Sequence, residues 1–245
     1  MKKKTEEVEN EKAMLPLDMP RSITLKSGKH TFTYHLRRVT CADWLSYFQG
    51  IVNQTLQVNG QREQVFESDS ALLELVDSVL TDVEGYGDIG AMKEWRVAVP
   101  LKYRMAVGIA LLSVGVSKAK DITPSLCDLV EVTLDATWAV GGKTLFFSGL
   151  VHRFRQPSIA DLKRFNFEAS RVKVTGSAKD GITVYPPHQA IAMKIYDDLI
   201  ESVDGYSVHG KPLEGVDEIK REMDGAHKAK AALELFRGEE DVTIE

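Results

Sequence analysis

The stretch "DVEGYGDIG", Asp82–Gly90, is answered 120 positions later by "SVDGYSVHG", Ser202–Gly210. Aligned from Asp77 and Asp197, five of fourteen positions are identical: Asp77/Asp197, Val83/Val203, Gly85/Gly205, Tyr86/Tyr206 and Gly90/Gly210. The preceding residues match in character. Leu72, Leu73, Val76, Val79, Leu80 and Val83 recur with the spacing of one helical face. Their partners Ala192, Met193, Tyr196, Leu199, Ile200 and Val203 are all apolar. The sequence therefore predicts two helices that bury the same face. Gly85 and Gly205 are expected to end them in left-handed caps, with Tyr86 and Tyr206 packing back onto them.

The correspondence extends upstream. "LRRVTCADWLSYF", Leu36–Phe48, answers to "FRQPSIADLKRFN", Phe154–Asn166. Thr40 and Ser158 each stand three residues before an aspartate, Asp43 and Asp161. A hydroxyl at the start of a helix accepts from a free backbone N–H, and a carboxylate suits the positive helix end. Before each cap lies a hairpin pattern, turning at "SGK" in the first and "GGK" in the second. Each unit reads as hairpin, capped helix, linker, amphipathic helix, glycine-tyrosine loop and last helix. The last helices are expected at Pro100–Val114 and near Ala226–Phe236.

The expected fold class is α+β, as two tandem repeats that each comprise a β-hairpin followed by a small helical bundle. Residues 1–20 are expected to form a flexible charged tail, 21–118 the first unit, 126–237 the second and 238–245 an acidic tail. A chain of 245 residues with 43% hydrophobic and 27% charged residues suits one or two soluble domains. The net charge of −5 supplies no electrostatic reason to expect nucleic acid as a partner. The run "MAVGIALLSVGV", Met105–Val116, is too short to cross a bilayer and reads as a buried helix. The start of the chain lacks the apolar run of a signal peptide. Two cysteines, Cys41 and Cys127, suit reduced thiols in a cytoplasmic protein rather than a disulfide scaffold or a four-cysteine zinc site.

The motif search yields no catalytic signature, no metal site and no cofactor site. "GGKT", Gly141–Thr144, has Thr137 where a P-loop requires glycine, and it lies in a hairpin. An EF-hand beginning at Asp82 would need a ligand at Tyr86 and a glutamate near Lys93, and both are missing. The six histidines show no metal-ligand spacing. One feature points to binding. "HLRR" ends one strand and "HRFR" ends its counterpart. Arg37, Arg38, Arg153 and Arg155 are expected to form a basic edge that meets an acidic segment of a protein partner, and the loop tyrosines Tyr86 and Tyr206 are expected to take part in partner binding. A strand edge is also able to accept an extended peptide.

The phrase "LRRVTCAD", Leu36–Asp43, following a hairpin and opening a helical region, resembles the tail assembly chaperones of long-tailed bacteriophages. "FRQPSIADL", Phe154–Leu162, is similar to the same element. The resemblance covers roughly 30 residues of each half, and the chain departs from it in length, since those chaperones are usually single units about half as long. It implies a non-enzymatic protein of the bacterial host cytoplasm that holds tape-measure or tail tube protein before tail polymerisation. Linking two weak sites raises effective concentration, which suits a long partner. Two other function classes stand beside it. A structural subunit of a phage or phage-like particle would use duplication for pseudo-symmetric contacts. An enzyme with a dispersed site would show a deep pocket with convergent polar groups.

Overall fold

A computed structural model describes residues 14–58, 61–87, 95–116, 129–140, 143–169, 173–174, 182–184 and 188–236. The chain is a mixed α+β protein. The expected junction at 118–125, Cys127, the end of the "DVEGYGDIG" loop, the "GG" of the second hairpin turn and the acidic tail lie outside the described residues.

The first half opens with a hairpin of β2 (Arg21–Ser27) and β3 (His30–Leu36), after a two-residue strand β1 (Leu15–Pro16). Helix α1 (Cys41–Gly50) follows, then a second hairpin of β4 (Val52–Val58) and β5 (Gln61–Glu67). Helix α2 (Asp69–Val79) runs directly into β6 (Leu80–Glu84), which returns to pair with β3. Helices α3 (Trp95–Ala98) and α4 (Leu101–Leu111) and strand β7 (Val114–Val116) complete it. The second half runs in the same order: hairpin β8 (Leu129–Val140) and β9 (Lys143–Arg155), helix α5 (Ile159–Ala169), strands β10 (Lys173–Val174) and β11 (Ile182–Val184), helix α6 (His188–Leu199) and strand β12 (Ile200–Asp204). Strand β12 pairs with β9 just as β6 pairs with β3. Strands β13 (Tyr206–Val208) and β14 (Lys211–Pro212) and helices α7 (Val216–Glu222) and α8 (Gly225–Leu235) end the described chain.

Local chemistry explains these elements. In β8 the alternating residues Val132, Leu134, Ala136 and Trp138 are buried, as a half-buried strand requires. In α2, Ala71, Leu72, Leu75, Val76 and Val79 form the buried stripe. Both predicted caps are present. Thr40 Oγ1 accepts from the Asp43 N–H, and Ser158 Oγ from the Asp161 N–H, while each aspartate accepts from the backbone N–H of its cap residue.

Several expectations are corrected. The linker expected between the capped and amphipathic helices contains strands, β4 and β5 in the first half and β10 and β11 in the second, and β11 pairs with β4 across the two halves. Leu80, Val83, Ile200 and Val203 belong to strands, not helices. Their helical spacing arises from a bulge. Register slips between His35 and Leu36 so that Thr81 has no opposite residue, and Glu201 is the extra residue in β12. One inserted residue places positions i and i+3 on the same side of a strand. Consequently Gly85 and Gly205 end strands rather than helices, although both hold positive φ, at 94° and 87°. A Cβ on Gly85 would come within 2.3 Å of the Thr31 carbonyl oxygen, so backbone approach as well as φ demands glycine there.

Leu15 and Leu17, expected within a flexible tail, are packed into the fold instead. They are buried in the second-half core, and their N–H groups donate to the carbonyls of Gly205 and Ser207 at 2.7 and 2.9 Å. The helix expected at Pro100–Val114, with Met105–Val116 read as buried, spans Leu101–Leu111; Ile109 is 61% exposed, and Val114–Val116 joins the β8 sheet. The two halves share their interior. Ala190 and Met193 of α6 and Ala229 of α8 pack in the core of the first half. Helix α8 reaches from Trp44, against which Gly225 is pressed, to Phe165, on which Phe236 stacks at 4.6 Å.

Candidate partner-binding surface

The four arginines expected to form a basic edge are each turned to a carboxylate of this chain. Arg37 donates from both terminal nitrogens to Asp43, at 2.7 and 2.8 Å. Arg155 grips Asp161 in the same way, at 2.8 and 3.1 Å. These forks hold Asp43 and Asp161 well below the usual carboxylate range, with the cap hydroxyls adding to the effect. Strand end and helix start are thereby clamped in both halves. Arg38 donates to the Glu222 carboxylate at 2.6 Å and also to its carbonyl, tying the connection between β3 and α1 to the end of α7. Arg153 pairs with Glu131 at 2.6 Å and Asp204 at 2.8 Å, across the β8–β9–β12 sheet. The guanidiniums remain part-exposed, yet their charge is neutralised locally, so they do not form an unpaired basic edge.

The two loop tyrosines occupy different environments. Tyr86 is half-buried. Its ring stacks on Phe32 at 4.4 Å and its hydroxyl meets that of Tyr34. Tyr206 is 1% exposed and lies in the interior, so it presents no surface to a partner. Its hydroxyl is 2.8 Å from His152 Nε2 and 2.8 Å from His227 Nδ1, and Tyr196 Oη lies 2.9 Å from His152 Nδ1.

This buried chain of four side chains was not legible as a motif, because its members come from β9, α6, β13 and α8. A hydroxyl between two imidazoles must donate to one and accept from the other. The arrangement that satisfies most atoms runs one way: Tyr196 donates to His152, His152 donates to Tyr206, and Tyr206 donates to His227. His227 Nε2 then carries the last hydrogen, and it alone of the four ring nitrogens of His152 and His227 has no partner among the described residues. Burial pushes both histidines down, His152 well below its ordinary value and His227 to about 4, the latter despite the opposing field of Asp224. Burial raises Tyr196 and Tyr206 well above theirs. Nearby, Arg21 stacks on Trp138 at 3.6 Å and donates to Asp224 at 3.2 Å, with both side chains 5% exposed. Asp224 also caps α8 through the Ala226 N–H. Lys228, 2% exposed, reaches out to Asp197 at 2.8 Å.

Among the described residues, no group of three or more histidine, cysteine or acidic side chains is placed to hold a metal. Cys41 donates through Sγ to the Met223 carbonyl at 3.2 Å, and burial raises its thiol. A groove of about 190 Å³ runs between α1 and α2, lined by Asp43, Ser46, Tyr47, Glu74 and Ser78 among others. Another, of about 210 Å³, lies between β2, the end of α4 and the β8–β9 hairpin. No helix among the described residues is long and apolar enough to cross a membrane.

Large exposed apolar side chains lie elsewhere, among them Ile109 and Leu101 on α4, 61% and 56% exposed. Phe66 on β5 and Phe146 on β9 are each 66% exposed. On α5, Ile159 is 74% exposed, Phe167 64% and Leu162 42%. The α5 residues carried a signal in the sequence, since apolar positions fall on more than one face of that helix. No family model, curated protein or solved structure matches the chain.

Proposed function

We propose that the chain is a non-enzymatic binding protein of the tail assembly chaperone type, which holds a tape-measure or tail tube protein before the tail polymerises. We infer with it that the two halves arose by tandem duplication, each contributing a hairpin-and-helix unit. The observation that carries the reading is the exposure of large apolar side chains on both halves. Phe66, Leu101 and Ile109 lie in the first half, and Phe146, Ile159, Leu162 and Phe167 lie in the second. Scattered single apolar residues are ordinary on a protein surface, but several from one helix mark an interaction face. The recurring element order and the twin arginine–aspartate clamps support duplication. A clamped frame keeps such faces in place without a partner, and two linked sites hold one long chain better than one site.

The test is affinity capture from cells carrying the native gene neighbourhood, with bound proteins identified by mass spectrometry. Recovery of a long helical tape-measure protein, or of a tube protein, is expected. Finding the chain itself inside finished particles would replace this reading with that of a structural subunit.

A further inference from the structure

Helices α1 and α5 are built alike. Each follows a hairpin, begins at a hydroxyl cap and is clamped by an arginine six residues before the aspartate of its first turn. At matching positions Cys41 stands for Ile159, Trp44 for Leu162 and Leu45 for Lys163. Tyr47 and Phe165, also matched, are both buried, so the inward faces agree. The other face differs. On α1 it is covered by the elbow between α7 and α8. Glu222 takes Arg38, the Met223 carbonyl takes Cys41, and Gly225 sits so close to Trp44 that a Cβ would lie 2.7 Å from it. Trp44 is 0% exposed as a result. On α5 the matching face is bare, with Ile159 74% and Leu162 42% exposed.

The charges around the bare face select its occupant. Arg155 is neutralised by Asp161, and Arg164 by Asp198 and Glu168. Lys163, between Ile159 and Phe167 on the helical wheel, is exposed and has no hydrogen bond or ion pair among the described residues. An apolar face beside a cation that has no partner among the described residues is matched by apolar residues flanked by carboxylates. The cover on α1 offers one such contact: Glu222, at the end of a helix that carries Lys220 and Arg221 as well as Asp217 and Glu218, meets Arg38 beside the buried Trp44.

We propose that the face of α5 formed by Ile159, Leu162 and Lys163 docks an acidic amphipathic helix of a partner protein. The proposal rests on the binding-protein reading above and names its site. The apolar side chains supply the contact area, and Lys163 pairs with a carboxylate beside the apolar stripe, as helix-in-groove recognition uses both.

The test uses the full chain and two labelled synthetic amphipathic helices of about 18 residues, or five turns. Both carry leucines on one face; one is flanked by glutamates and the other by lysines. Fluorescence anisotropy is expected to show the glutamate peptide binding at least about fivefold tighter than the lysine peptide, Leu162→Asp weakening it about tenfold, and Lys163→Glu reversing the preference. Both substituted sites are exposed, so circular dichroism should report an unchanged fold. Absence of binding, or equal binding by Leu162→Asp, overturns the proposal. So does a dimer in sedimentation that Leu162→Asp dissolves, because a second copy would then own the face. If a Leu162→Asp bait captures a tape-measure or tube protein as well as the wild type does, the site falls while the chaperone reading stands. If the peptide binds as expected and the wild-type bait captures neither, the chaperone reading falls while the site stands.

Discussion

Arg37 meets Asp43 through two hydrogen bonds, of 2.7 and 2.8 Å, six residues apart across the strand-to-helix corner. The same carboxylate accepts from the Thr40 N–H, so one side chain caps α1 and anchors its approach. Asp43→Asn is expected to destabilise the fold by about 1–2 kcal/mol, the scale of a lost helix cap. Urea denaturation of Asp43→Asn and Asp161→Asn checks it, and an unchanged midpoint in both would refute the clamp. The sign with pH follows from the lowered carboxyls. Their contribution is complete above the ordinary aspartate range near 4 and is lost as pH falls below it.

The histidines act at higher pH. His227 titrates near 4 when folded, against an ordinary 6.5. Its depressed folded value means that stability is complete above 6.5 and is lost as pH falls toward 4, because the unfolded chain takes up the proton first. Between pH 7 and pH 5 the loss from His227 alone is about 2 kcal/mol, at about 1.4 kcal/mol per unit. His152 adds to it. Denaturation curves at the two pH values measure this, and His227→Gln should flatten the dependence.

Tyr206→Phe removes the hydroxyl between two buried imidazoles and leaves both nitrogens without a partner. The expected cost is about 1–3 kcal/mol. Tyr86→Phe should cost less, since Tyr86 is half-buried and water is able to reach Tyr34 through the vacated position. Comparing the two thermal midpoints tests the difference in environment of two residues that look equivalent in the sequence.

Asp224→Ala strips the partner from Arg21 and the cap from α8 together. Removing one member of a buried pair leaves an uncompensated charge and costs about 3–5 kcal/mol. If calorimetry finds the variant as stable as the wild type, Arg21 is held by the Leu111 carbonyl, to which it also donates, rather than by Asp224.

Gly85→Ala should destabilise by at least about 1–3 kcal/mol, from the positive φ alone. The Thr31 carbonyl at 2.3 Å from the added carbon raises the cost further. Gly87→Ala, with positive φ but open space around it, provides the comparison in the same denaturation series.

Much of the frame is encoded locally, and the order hairpin, capped helix, second helix and glycine-tyrosine corner is legible for that reason. Thr40 with Asp43 and Ser158 with Asp161 announce helix starts because a cap joins residues three apart. The alternation of Val132, Leu134, Ala136 and Trp138 announces a strand because its period belongs to the backbone. Where sequence reasoning misassigned, a distant contact had altered a local period. Leu80 and Val83 have helical spacing, yet they pair with β3 through a bulge that only the partner strand reveals. The candidate site was harder still. Arg37, Arg38, Arg153 and Arg155 look like free charge until Asp43, Glu222, Asp204 and Asp161 are brought to them by folding.

The amino-acid sequence by itself determined the α+β composition and the helix caps, since each depends on residues within a few turns of one another. Tertiary structure alone decided which copy of a shared feature is buried. Tyr206 lies between two histidines while Tyr86 stays half-exposed, and Trp44 is sealed under Gly225 while Leu162 faces solvent. The physical reason is that α8 is a single helix able to bring its N-terminus against only one of two equivalent faces, and its placement is set by contacts nearly two hundred residues apart in the chain.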